Sequence, residues 1–136
     1  MEFSIKEYGE YRESEILSLY RSVGWTNYTD NPDMLKNAYA NSLKILGAYA
    51  DGRLLGIIRA VGDGCSIVFI QDLLVFPEYQ HKGIGTALIS RILALYQTVY
   101  QKSLLTDSTE KTIQFYQSAG FQMDTDIGCR AFIKMY

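Results

Sequence analysis

Histidine is nearly missing from this chain: His81 is the only one. A multi-histidine metal site is thereby excluded, and no metal is expected. Cysteine is almost as scarce. Cys65 and Cys129 stand far apart, with no CxxC spacing and no Cys/His cluster, so they read as reduced, partly buried thiols. A cysteine hydrolase would have His81 as its one available partner. Charge of one sign is not in excess: 13 Lys and Arg face 15 Asp and Glu, a net charge of -2. That balance argues against broad nucleic-acid binding. No apolar run reaches the roughly 20 residues that cross a bilayer. The first residues, Met1-Glu2-Phe3-Ser4-Ile5-Lys6-Glu7, lack a signal-peptide pattern. Repeats, low-complexity tracts and linkers are absent too. The expectation is one domain over residues 1–136, cytoplasmic, with no nucleic-acid or membrane partner.

What is present is punctuation. Phe3 and Ile5 alternate with polar residues as a short strand does. Ile16, Leu17, Leu19, Tyr20 and Val23 have helical spacing, and Gly24 stops that helix. Residues 25–32 are a polar and aromatic loop, and Asp30 or Asn31 before Pro32 caps a second helix over about 32–43. Residues 44–50 and 53–62 read as strands around the Asp51-Gly52 hairpin turn. A long apolar strand, 66–76, ends at Pro77. Leu88, Ile89, Ile92, Leu93, Leu95 and Tyr96 predict a helix over 83–99 that packs on a sheet. A short strand at 103–106, a helix over 109–119 and closing strands at 121–125 and 130–135 complete the chain. Hairpins followed by one strand–helix–strand crossover make a mixed α+β sheet, not a doubly wound one. Eleven tyrosines belong mostly to core and rim.

The loop Gln80-His81-Lys82-Gly83-Ile84-Gly85-Thr86 lies between a strand and a helix. That order aims backbone N–H groups at one spot before a helix N-terminus, a phosphate cradle. The glycines alone also fit a plain tight start of a helix. A Walker A loop fails because Lys82 precedes Gly83 and Thr86 directly follows Gly85. A dinucleotide fingerprint fails because Leu88 stands where its third glycine belongs.

Gln80-x-x-Gly83-x-Gly85 after Leu73-Leu74-Val75-Phe76-Pro77 resembles the acetyl-CoA motif of the GCN5-related N-acetyltransferase (GNAT) superfamily. Phe115-Tyr116-Gln117-Ser118-Ala119-Gly120-Phe121 resembles the family's Phe-Tyr-x-x-x-Gly-Phe signature, and the element order matches along essentially the whole chain. The resemblance implies a mostly antiparallel sheet of six to seven strands with about four helices and splayed strands at the cofactor. It implies acetyl transfer from acetyl-CoA to an amine by direct attack. Backbone N–H groups of His81, Lys82, Gly83, Ile84, Gly85 and Thr86 would hold the pyrophosphate, and a bulkier residue at Gly83 would block it. Gln80 would hold the loop or touch phosphate. Leu73, Leu74 and Val75 would offer backbone groups to the pantetheine, the Leu73 N–H polarising the acetyl carbonyl.

Tyr116 would protonate the leaving thiolate. The family's usual strand glutamate is missing. Asp72 is the only carboxylate in that strand, so it accepts the amine's proton directly or through water, or is structural. Thr109 replaces an asparagine that contacts the cofactor in some relatives, with Ser108 as a substitute. Trp25, Tyr28 and Tyr39 would line the acceptor site. Arg59-Ala60 with Asp63, and Gln71-Asp72, resemble a branch that includes arylalkylamine acetyltransferases. A small amine, a polyamine, an amino sugar and a peptide N-terminus all fit, in a monomer or a homodimer. A domain that binds acyl-CoA as a sensor without turnover is the competing class.

Overall fold

The computed structural model describes residues 1–136, which divide into two compact units, Met1–Leu105 and Thr106–Tyr136. The first unit holds one five-stranded sheet in the order β1-β2-β3-β4-β5: Ser4–Glu7, Lys44–Ala50, Arg53–Gly62, Ile67–Val75 and Gln101–Leu104. The first three pairings are antiparallel and β4–β5 is parallel, so the sheet is mixed as expected. The β2–β3 hairpin turns on Asp51 (φ 53°) and Gly52 (φ 75°), the two left-handed residues that a tight hairpin of this twist requires.

Helices α1 (Glu13–Ser22) and α3 (Pro32–Ala40) flank a single turn, α2 (Thr26–Thr29), that the sequence reads as loop. Ile16, Leu19 and Tyr20 recur at helical spacing on α1 and are fully buried. With Leu35 and Tyr39 of α3 they pack on Ile45, Leu54, Ile57 and Leu74 of the sheet. Helix α4 (Ile84–Leu95) buries Ile84, Leu88, Ile89 and Ile92, none of which belongs to that cluster, so α4 serves the other face. Each such side chain contributes on the order of 1.5–3 kcal/mol. No helix is long and apolar enough to cross a membrane.

The second unit contains α5 (Glu110–Ser118) and no strand. This corrects the strand count from six or seven to five, while the helices agree with the expected number of about four, the fifth being the single turn α2. In place of the first closing strand the chain makes a 3-10 turn over Asp124–Ile127. The Asp124 carboxylate accepts the Thr125 and Ala131 N–H groups, its carbonyl accepts Cys129 N–H, and Gly128 is left-handed. Those bonds use the backbone groups that a hairpin would pair. Strand β5 also starts earlier than expected, at Gln101. Both cysteines are free and exposed, not partly buried.

Candidate active site

Strand β4 runs out at Val75, and Phe76 N–H bonds Leu55 carbonyl at 2.9 Å on the β3 side. Strand alternation then turns the N–H and C=O groups of Leu73 and Val75 away from β3. On that side β5 pairs only with Ile67–Ile70 and ends at Leu104. The edge of β4 from Gln71 to Val75 therefore has no strand beside it. The register supplies a second feature. Arg59 pairs with Asp72 but Ala60 pairs with Ile70, so Gln71 is an extra residue, a β-bulge. Ile70 and Asp72 consequently face opposite sides of the sheet.

A 3-10 turn, Pro77–Tyr79, leads from β4 into the glycine loop. The Gln80 side chain donates to Val75 carbonyl at 3.0 Å, tying the loop to the strand end. His81 (φ 64°) and Gly83 (φ 84°) are both left-handed, which turns successive N–H groups to one side. Helix α4 makes its first backbone bond at Ala87 N–H, to Gly83 carbonyl, and no side chain caps it. The N–H groups of Gly83, Ile84, Gly85 and Thr86 thus have no acceptor within the helix. The Ile84 side chain is buried and anchors this turn, while His81, Lys82, Gly83 and Thr86 are exposed. A Cβ built on Gly83 meets nothing within 4 Å, so the space over the loop is open. Open space, uncapped donors and a bare strand edge fit the phosphate and amide groups of acetyl-CoA. No group of three or more His, Cys, Asp or Glu side chains is placed to hold a metal.

Behind β4 lies a buried polar cluster. Asp72 Oδ2 accepts from Arg59 Nε at 2.7 Å and from the Tyr20 hydroxyl at 2.7 Å. Tyr20 has one proton, which goes to the carboxylate, so the Tyr39 hydroxyl donates to Tyr20 across 3.0 Å. Arg59 Nη1 donates to Ser42, whose hydroxyl donates to Ala38 carbonyl. Burial works against the Arg59 charge, but Asp72 more than offsets it and holds the guanidinium above its usual range. Asp72 Oδ1 is buried and has no protein partner.

Aromatic rings surround this cluster. Tyr20 meets Trp25 at 5.9 Å, Tyr28 at 5.1 Å and Tyr39 at 6.3 Å between ring centroids. Trp25 and Tyr28 are half-buried, and the Tyr28 hydroxyl accepts from Gln71 Nε2 at the rim. Tyr39 is core, packed against Tyr8 and Tyr11 as well. The expected acceptor residues are thus brought together with Asp72, through Tyr20. Tyr20 itself and Arg59 were not among the expected site residues. The signal for Arg59 was there, a lone arginine inside an apolar strand. Tyr20 has none, because its partner is 52 residues away. Asp63 only shapes its turn, accepting from Cys65, Ser66 and Ile67 N–H groups.

Burial, reinforced by neighbouring acidic groups, raises the phenols of Tyr8, Tyr20 and Tyr39 well above the ordinary tyrosine value. A phenol harder to ionise folded than unfolded contributes stability that is complete below pH ~10, the unfolded value, and declines above it. Alkaline titration is therefore expected to show tyrosine ionisation coinciding with loss of circular dichroism. Ionisation of all eleven tyrosines with full retention of the dichroism would contradict this placement.

In the second unit, Tyr116 is half-buried between the rings of Phe115 and Phe121, at 5.0 and 6.0 Å. Burial and then Asp107 push its phenol up to about 12. Thr109 caps α5: its hydroxyl accepts Thr112 N–H and donates to Asp107 at 2.7 Å. That hydroxyl is committed locally.

The profile of the acetyltransferase (GNAT) domain matches residues 41–123. An acetyltransferase of the GNAT family from Streptococcus pneumoniae is 39% identical in sequence, with a TM-score of 0.90 over 99% of this chain and 98% of that one. An uncharacterized N-acetyltransferase, ycf52-like, from Prochlorococcus marinus is 30% identical over 81% of this chain and 62% of its own length. The chloroplastic GCN5-related N-acetyltransferase 2 of Arabidopsis thaliana is 37% identical over 54% of this chain, which spans 29% of its length. The chain thus covers less than two thirds of these curated relatives. The PaiA N-acetyltransferase of Thermoplasma acidophilum, solved in complex with coenzyme A, shares the fold at a TM-score of 0.74. The profile match takes in β2 to α5, including the bare edge of β4 and the glycine loop, and with these relatives it places the chain in the GNAT family of acetyltransferases.

Proposed function

We propose that this protein transfers an acetyl group from acetyl-CoA to a primary amine of a small molecule by direct attack. The observation that carries this reading is the continuity of the bare β4 edge with the uncapped start of α4. One end offers backbone amides to a pantetheine arm, and the other offers a row of N–H donors to a pyrophosphate. The PaiA neighbour's complex with coenzyme A supports the same ligand here.

In this reading Gly83 to Thr86 bind the pyrophosphate with their backbone N–H groups, helped by the α4 dipole. Gln80 fixes the loop against β4. The Leu73 N–H stabilises the negative charge that develops on the acetyl oxygen. Asp72 holds Tyr20 and Arg59 through Oδ2 and keeps Oδ1 to receive the amine's proton, directly or through water. Trp25 and Tyr28 flank the acceptor. Tyr116 returns a proton to the departing thiolate.

The test of the cofactor site is Gly83→Val. A β-branched side chain at φ 84° is strained and fills the open space over the donors. Acetyl-CoA affinity is expected to fall tenfold or more, about 1.4 kcal/mol, with secondary structure retained. Unchanged affinity would remove the loop as the pyrophosphate site. Thiol release from acetyl-CoA across a panel of amines then separates turnover from binding alone.

A further inference from the structure

The carboxylate oxygen that receives the amine's proton in the reading above is out of an amine's direct reach. The Asp72 side chain is 1% exposed, and its Oδ1 is buried with no partner. An amine meets the polar cluster at its rim, where Trp25 and Tyr28 are half-buried. The proton therefore needs a carrier between the rim and the carboxylate.

The bulge in β4 places one there. In a regular strand, consecutive side chains point to opposite faces. Gln71 and Asp72 do not. Asp72 bonds Tyr20 of α1, and Gln71 bonds Tyr28 of α2, whose ring meets that of Tyr20 at 5.1 Å. The extra residue thus aims two neighbouring side chains at one face. The Gln71 bond also sets the polarity of Tyr28. Gln71 Nε2 donates and the Tyr28 oxygen accepts, at 3.1 Å. A phenol oxygen carries one proton and can accept more than one bond. Gln71 uses one accepting position and leaves Tyr28 its proton to give. Burial, and then the charge of Asp72, raise the Tyr28 phenol, so it rests protonated near the carboxylate.

Building on the acetyl-transfer reading, we propose that Tyr28 relays the amine's proton to Asp72 Oδ1, with Gln71 as the residue that positions it. The amine's N–H bond breaks as an O–H bond forms on Tyr28. The O–H bond that Tyr28 already had breaks as one forms on Asp72 Oδ1. The nitrogen keeps the electron pair with which it attacks the acetyl carbon. Tyr28 ends neutral, as it began, and Asp72 ends protonated. Once product leaves, the proton returns through Tyr28 to water at the rim. Oδ1 is unpartnered in the free protein, and the Tyr28 bond to it closes when the amine docks, as catalytic hydrogen bonds often do.

The test uses the full chain, with whichever of tyramine, spermidine, glucosamine and alanyl-alanine releases thiol fastest from acetyl-CoA. Tyr28→Phe keeps the ring against Tyr20 and Trp25, and circular dichroism checks the fold. Its kcat is expected to fall roughly 10-fold or more, with KM for the amine and acetyl-CoA affinity unchanged. Gln71→Leu is expected to lower kcat roughly fivefold, the effect of one neutral hydrogen bond. Gln71→Glu keeps the length of the side chain but can only accept, so it draws the Tyr28 proton away from Asp72. Its kcat is expected to fall as far as in Tyr28→Phe, which a merely structural Gln71 would not produce. Adding Tyr28→Phe to Asp72→Asn is expected to cost nothing further, because carrier and acceptor act as a unit. Wild-type kcat in Asp72→Asn would remove Asp72 as the base and overturn the relay with it. An impaired Asp72→Asn beside a Tyr28→Phe of wild-type kcat would keep the base and overturn the relay alone. So would a Gln71→Glu no worse than Gln71→Leu, or losses that add in the double variant.

Discussion

Replacing Tyr116 by phenylalanine is expected to lower turnover on an amine by roughly 10²-fold or more while acetyl-CoA affinity stays unchanged. The substitution removes one hydroxyl and keeps the ring that packs between Phe115 and Phe121. A thiolate leaving without a proton is the poorer leaving group, so the loss falls on the chemical step. Because burial and Asp107 push the phenol up to about 12, Tyr116 stays protonated throughout the neutral and mildly alkaline range. The pH profile of turnover is therefore expected to rise as the amine loses its proton and then hold level, with no fall below pH ~10 that belongs to Tyr116. Wild-type turnover in Tyr116→Phe, or a loss entirely in cofactor affinity, would remove Tyr116 as the acid.

Replacing Arg59 by methionine is expected to cost about 3–5 kcal/mol of stability, read from denaturant unfolding. The pair it breaks is buried on both sides, at 5% and 1% side-chain exposure, and Asp72 already lacks a partner on Oδ1. Without the guanidinium, a buried carboxylate keeps only the Tyr20 hydroxyl, and Ser42 and the face of Tyr39 lose their cationic neighbour. Adding Asp72→Asn to Arg59→Met removes the stranded charge and is expected to restore most of the stability. The same pair of variants separates the two roles of Asp72. If the carboxylate receives the amine's proton, stability returns in the double variant and turnover does not. If it only positions Tyr20, whose hydroxyl the asparagine oxygen can still accept, both return together. An Arg59→Met protein as stable as the wild type would show that the ion pair does not hold this cluster.

The local parts of this molecule were legible because they are punctuated locally. Pro77 ends β4, Gly83 opens α4, and Asp51-Gly52 closes a hairpin, each through backbone angles that neighbouring residues cannot change. The expected Trp25, Tyr28, Tyr39 and Asp72 do lie in one cluster. Their organiser, Tyr20, was hidden, because on a helix it reads as one more apolar position. The closing strands failed for a related reason. The apolar residues of 130–135 report a tendency to pair, and pairing requires a partner that a sequence pattern cannot supply. The bonds of Asp124, a carboxylate three residues past Phe121, decided the turn instead.

The extra residue Gln71 gives β4 two lives. Before it, the strand is an ordinary member of the sheet, with β5 alongside. After it, the phase of the side chains is reversed, and the same strand carries a carboxylate toward α1 and a naked flank toward the solvent. Deleting Gln71 would set Ile70 and Asp72 side by side opposite Ala60 and Arg59, and Asp72 would keep its face toward Tyr20. What would be lost is the Gln71 bond to the Tyr28 hydroxyl at the rim and the extra local twist that the bulge adds where β5 leaves β4.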